Sequence, residues 1–372
     1  MIYLKVLKIL SLLKYNFTMN FFKSNDILRI FFLMLYIFFS VFTYTSIAVT
    51  NEDFSLGLNL IKSVLLLMLI ITGFSTINSY KIYFLVFILL LCIATLDSYV
   101  ISLVFLSLII ISTKDLLSKN DVLKYLNRIS LIGFILVLFG YSVGYLENII
   151  FYDSLGYGLS IRESLGFFNP NPASLLLFSS VIVSLYIKDY LAFIISLLLF
   201  IFLIPFFGSR TYLYSFVIFG LVYIFSKSSL LKKLINILVL LFLIVFPIIL
   251  YFLISVGNWN FMGIDLNSVT SDRLNRIRIM FFENGGINLF PSLNIDVVDS
   301  GLTNILLKLG LIFYLFFVYF NYRNLIKIEN SVLYSLYISI FFILFMENIV
   351  TGYVLLPIML ISIIVNKSYN VK

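Results

Sequence analysis

The chain has 372 residues, 62% of them apolar and 11% charged, with a formal net charge of +8. A soluble domain carries about 25% charged residues and about 45–50% apolar ones, so a water-facing surface is excluded for most of this chain. Cys92 is the only cysteine and histidine is absent, which excludes an intramolecular disulfide, a thiolate metal site and a histidine base.

Residues 1–25 place Lys5, Lys8 and Ser11 at helical spacing among leucines. That pattern predicts an interfacial amphipathic helix, with a translation start at Met19 as the equal alternative. Apolar runs then predict about 12 transmembrane helices, each near the length that crosses a hydrocarbon core. They fall at 28–49, 56–76, 81–96, 98–113, 129–146, 173–187, 190–206, 211–226, 234–255, 302–320, 331–346 and 349–365. The pair around Asp97 also fits a re-entrant hairpin. The runs are continuously apolar rather than alternating, which excludes a closed β-barrel. The fold class is therefore all-α, a polytopic integral membrane protein with one transmembrane domain over residues 1–372.

Starting with a cytoplasmic N-terminus and alternating sides gives both termini a cytoplasmic location. It also places 18 of the 25 basic residues in cytoplasmic segments, as the positive-inside rule requires. The positive charge thus reads as anchoring beside anionic lipid rather than as nucleic-acid binding. The exceptions are Lys62 and Lys308, inside spans, and Arg162, Arg210, Arg273, Arg276 and Arg278, outside. Every outer-loop base is an arginine, whose planar fork holds phosphate or carboxylate bidentately. Twelve of the 17 acids also fall outside.

Two extracytoplasmic loops exceed a simple turn, at 147–172 and 256–301, and long ordered loops commonly carry function. The first contains Arg162-Glu163-Ser164-Leu165-Gly166-Phe167-Phe168-Asn169-Pro170-Asn171-Pro172. There Asn171 and Pro172 predict a helix N-cap and first turn, and Arg162 is either a substrate contact or a structural residue. Gly208-Ser209-Arg210-Thr211 is a break between two spans. It places Arg210 at a helix N-terminus, where the dipole already favours an anion. In the second loop Arg273 and Arg276 share a helical face and Arg278 is offset. Glu283, Asp296 and Asp299 follow and are candidates for general-base work.

These residues resemble the Wzy-type O-antigen and capsular polysaccharide polymerases, which share an architecture with the O-antigen ligases. The resemblance rests on the span count, the large late loop and three landmarks in order. They are Arg162 with Gly166-Phe167-Phe168-Asn169-Pro170-Asn171, then Gly208-Ser209-Arg210-Thr211, then the arginine-bearing loop leading to Asp299 and a helix with Gly310. Where the family commonly has Asp-Asn, this chain has Asp299-Ser300. Leu289-Phe290-Pro291-Ser292 stands in place of its glycine-rich turn.

The resemblance implies polymerisation of undecaprenyl-diphosphate-linked oligosaccharide repeat units at the outer leaflet of a bacterial inner membrane. It implies no cofactor and no metal, with a chain-length regulator and a flippase as companions. It assigns Arg162, Asn169, Arg210, Arg273, Arg276 and Arg278 to substrate binding and Asp299 or Glu283 to base catalysis. The ligases typically carry a histidine in the late loop, which this chain lacks, so polymerase is favoured. A lipid-linked oligosaccharide flippase or other transporter is the remaining alternative.

Overall fold

The computed structural model describes residues 24–73, 113, 115–117, 119–155, 158–257, 259–261, 264–265, 267, 273–292 and 300–347. The expected spans 81–96 and 349–365, nearly all of 98–113, most of segment 1–25, and Asp296 and Asp299 lie outside those residues.

The helices are α1 (Ser24–Phe42), α2 (Ser46–Thr50), α3 (Glu52–Gly73), α4 (Asn120–Ser142), α5 (Pro170–Ile187), α6 (Tyr190–Phe207), α7 (Arg210–Phe225), α8 (Ser229–Val256), α9 (Arg273–Glu283), α10 (Gly301–Lys308), α11 (Gly310–Leu325) and α12 (Ser331–Met346). Two small antiparallel ribbons interrupt them: β1 (Ile150–Leu155) with β2 (Gly158–Glu163), and β3 (Asn260–Phe261) with β4 (Ile264–Asp265). The loop expected at 147–172 thus contains a hairpin, with Phe151 opposite Arg162 and Tyr152 opposite Ile161.

Among the described residues five helices, α3, α4, α5, α6 and α8, are long and apolar enough to cross a membrane, and α7 and α12 are apolar but shorter. The expectation of about 12 spans is not met by these helices. The first expected span is also shorter than expected: α1 stops at Phe42, short of residue 49. Past that point the hydroxyls of Thr43 and Thr45 donate to the carbonyls of Ser40 and Phe42, each at 2.7 Å.

The centre of the bundle is α5, which is buried along most of its length, including Ser174, Ser179, Ser180 and Ser184. Small residues let neighbouring backbones approach closely where hydrocarbon offers no hydrophobic driving force. Ser174 Oγ donates to its own helix at Pro170 O (2.9 Å), and Asn127 Nδ2 of α4 donates to Ser184 Oγ (2.7 Å). By contrast α8 turns Leu230, Leu238, Ile248 and Phe252 outward, each more than half exposed, as a lipid-facing helix would. Pro247 inside α8 has no N–H to give the carbonyl of Leu243, four residues earlier. Tyr314 of α11 supplies the missing donor from its buried hydroxyl at 2.7 Å.

The expected single span at 302–320 is broken in two. Gly310 sits at φ +87°, and a Cβ there would lie 2.7 Å from Leu289 O and from Phe290 C and O. The backbone of residues 284–292 enters this break and satisfies the groups it frees. Asn284 Nδ2 donates to Leu307 O (2.9 Å) and Ser292 N to Lys308 O (2.9 Å). On the other half, Leu311 N donates to Asn288 O (2.8 Å) and Ile312 N to Leu289 O (3.3 Å). All eight residues of α10, Lys308 included, are buried.

One end of the bundle is tied by ion pairs. The buried Arg29 guanidinium forks onto Asp115 at 2.7 and 2.8 Å, and Arg128 forks onto Asp189 at 2.8 and 3.0 Å. Lys119 reaches Asp26 at 3.2 Å. Each pair joins segments that the lysine pattern assigns to one side of the membrane.

Asp189 also makes this end sensitive to acid. The hydrogen bond from Arg128 holds its carboxyl below the usual range, against the opposing effect of burial. A depressed folded pKa means the contribution is complete above the ordinary value of about 3.9 and is lost as pH falls through the lower folded value. The Asp189 side chain is 3% exposed and that of Arg128 41%, so the pair lies between the surface and the buried extremes. Asp189→Asn should then cost about 2 kcal/mol at neutral pH. Unfolding midpoints of both proteins against pH should differ by a constant amount above about pH 5 and converge below about pH 4. A gap that widens in acid would contradict the assignment.

Candidate functional site

Asp189 immediately precedes the first residue of α6; the candidate site gathers at that helix's other end, 18 residues along, about 27 Å away at 1.5 Å per residue. The segment between β2 and α5 is sewn to its neighbours by backbone bonds. Ser46 N donates to Gly166 O (2.9 Å) and Phe168 N to Tyr44 O (2.7 Å). Ser164 N and Leu165 N both donate to Asn148 Oδ1 at 3.0 Å. Phe167 is fully buried, with its ring 5.1 Å from that of Phe134 and 6.5 Å from that of Phe207. The Gly-Phe-Phe stretch therefore anchors this segment.

The helix starting here begins one Asn-Pro pair earlier than expected. Asn169, not Asn171, is the N-cap, its side chain accepting from Asn171 N at 2.9 Å, with Pro170 as first helical residue. This correction frees the Asn171 amide. Its Oδ1 accepts from Arg162 Nη2 (2.6 Å) and from Ser209 Oγ (3.1 Å), and its Nδ2 donates to Glu347 Oε2 (3.3 Å). Two donors on one side and a carboxylate on the other fix the amide in this orientation.

Glu347 follows the last residue of α12 and is nearly buried. Its Oε1 accepts from Thr211 Oγ1 (3.0 Å) and from Arg273 Nη2 (2.9 Å), while Arg273 Nη1 donates to Met346 O at 2.6 Å. Its backbone carbonyl accepts from Gly301 N at 3.2 Å, fastening the start of α10. Arg162 Nε also takes up the terminal carbonyl of α6 at Phe207 (3.0 Å). Gly208 makes that approach possible. It adopts φ +57°, and a Cβ would stand 2.6 Å from Arg162 Cγ.

The six expected binding residues thus separate. Arg162 and Arg273 are joined through Asn171 and Glu347, and Asn169 caps α5. Arg210, first residue of α7, is exposed beside the networked Ser209 and Thr211. Arg276 is exposed one turn along α9 from Arg273. Among the described residues neither guanidinium meets a carboxylate. Arg278 lies over the Phe282 ring, 5.7 Å from its centroid, and against Gly257, where a Cβ would be 2.7 Å from Nη1. Of the expected bases, Glu283 is exposed at the end of α9 and Asp299 lies outside the described residues. Among the described residues no group of acids is placed to hold a metal ion.

Glu347 and Asn171 are the members that sequence reasoning missed as site residues. Glu347 reads as a turn acid between two apolar runs. Its one signal is that no other acid occurs from residue 330 to the C-terminus.

No protein-family model, curated protein or solved structure matches the chain.

Proposed function

We propose that this protein is a glycosyltransferase that polymerises undecaprenyl-diphosphate-linked oligosaccharide repeat units into a surface polysaccharide, O-antigen or capsule. One observation carries the reading: three arginine-bearing segments far apart in sequence meet at one end of the bundle, with Arg210 and Arg276 exposed and facing no carboxylate among the described residues. A lipid diphosphate is the anion that suits arginines at a membrane surface.

In the reaction, a sugar hydroxyl of the acceptor unit attacks the anomeric carbon of the donor chain. The new glycosidic bond forms as the bond to diphosphate breaks, and the hydroxyl proton passes to a carboxylate. Glu283 and Asp299 are the candidates for that base. Arg210, Arg276 and Arg278 neutralise the charge that grows on the departing undecaprenyl diphosphate. The proposal includes about 12 spans, an inner-membrane location, cytoplasmic termini, and work alongside a chain-length regulator and a flippase.

A transporter reading draws on the α10–α11 break and the buried Lys308, since broken helices and buried ionisable groups mark transport sites. Deleting the gene in its native bacterium and sizing the surface glycan separates the two. Loss of the long-chain ladder, with single repeat units still reaching the surface, is the expected result. Complete loss of surface units, with lipid-linked single units trapped in the inner leaflet, would replace the polymerase reading by transport.

A further inference from the structure

We infer that Glu347 is the positioning residue of this site, orienting Arg273 directly and Arg162 through Asn171. The inference rests on the proposed function. Both arginines are directed inward by partners rather than left to seek an anion. Arg273 forks onto Glu347 Oε1 and the carbonyl of Met346, and Arg162 spans Phe207 O and Asn171 Oδ1. Glu347 is itself held from both sides: its N–H donates to Ile343 O (2.6 Å) and its carbonyl receives Gly301 N. A carboxylate fixed in this way sets the angle at which α9 leaves the bundle, and α9 carries Arg276 and Arg278. Its hydrogen bond to Thr211 sets the first turn of α7 in the same way, beside Arg210.

The chain of polarity runs Arg273 to Glu347 to Asn171 to Arg162, and each link has one workable assignment. Glu347→Gln places an NH2 where a donor already points: at Thr211 and Arg273, or at Asn171. Turning the Asn171 amide to meet it moves the conflict to Arg162 and Ser209. Asn171→Asp instead sets two carboxylates against each other. Combining the two changes removes both faults. The amide introduced by Glu347→Gln would accept from Thr211 and Arg273 through its oxygen. Its NH2 would donate to the carboxylate introduced by Asn171→Asp, whose other oxygen would accept from Arg162 and Ser209. The hydrogen bonds among these described residues and the total charge are then restored, with the carboxylate and the amide exchanged.

The test compares four purified proteins in lipid nanodiscs: wild type, Glu347→Gln, Asn171→Asp and the double variant. The substrate is the lipid-linked repeat unit, and unfolding midpoints are recorded alongside. Each single change should lower kcat about a hundredfold, the scale of a small misplacement at a reacting centre, with KM little altered. The double variant should recover most of the loss. Unchanged kcat in either single variant, or two losses without recovery, overturns the inference. A role in folding alone would lower the midpoints and leave kcat per folded molecule unchanged. A wild type that neither polymerises nor binds undecaprenyl diphosphate would instead sink the proposed function. The midpoints then judge the pairing on their own: recovery in the double variant upholds it, and no recovery overturns it.

Discussion

Replacing Arg210 and Arg276 together by glutamine should lower polymerisation about a thousandfold, the upper range for losing preorganised donors at a developing anion, while the protein still folds. Both side chains are exposed, and among the described residues neither is tied to a carboxylate, so their loss breaks no buried pair. Surface changes of this kind stay within about 0.5 kcal/mol of wild-type stability. Lysine at the same positions keeps the charge but loses the planar fork that matches a diphosphate, and should fall between glutamine and wild type. Arg273→Gln makes a useful contrast: it removes the Arg273–Glu347 ion pair and should lower stability as well as rate. Polymer length and initial rate with lipid-linked units in proteoliposomes are the measurements. If the glutamine pair works at the wild-type rate, these arginines do not stabilise the leaving group.

The contrast among the arginines shows where sequence reasoning reaches its limit. Apolar runs locate helices because burial in hydrocarbon and helix length are one-dimensional properties, and every expected span inside the described residues has a helix on it. Hydropathy says nothing about φ, so the run at 302–320 concealed the break at Gly310. The tandem Asn169-Pro170-Asn171-Pro172 offers two equivalent caps two residues apart. Only tertiary contacts, with Arg162, Ser209 and Glu347 competing for the second amide, decide in favour of the first. Arginine gathered in the long loops, while lysine fills the short ones, was a readable signal of ionic chemistry. Which arginines are internally satisfied was not, because the partner of Arg273, Glu347, lies 74 residues beyond it, and that of Arg162, the carbonyl of Phe207, 45 residues beyond it. The β1–β2 hairpin escaped for a similar reason. Its strands are short and mixed in polarity, and Arg162 owes its place to Gly208, a residue in another landmark altogether.

Gly310→Ala should be the most damaging single-methyl change in the described part of the chain, costing about 4 kcal/mol through backbone strain and overlap together. At φ +87° an L side chain is strained before any neighbour is considered, and here the added carbon would lie 2.7 Å from the carbonyl of Leu289 and from the backbone of Phe290. Those are not flexible side-chain ends that can swing aside. They belong to the segment whose carbonyls cap α11 and whose Ser292 N–H caps α10, so moving them exposes orphaned groups in a buried break. Gly144→Ala supplies the control. That glycine has nearly the same φ, +79°, with nothing within 4 Å of the added carbon, so it feels the conformational strain alone, about 1 kcal/mol. The difference between the two variants, read as unfolding midpoints in nanodiscs, measures how firmly residues 284–292 are seated between α10 and α11. Equal losses at the two positions would mean that the segment yields easily and that the broken helix is held by other contacts. A much larger loss at Gly310 would mean that α10, and with it the Gly301–Glu347 bond at the site, depends on this insertion.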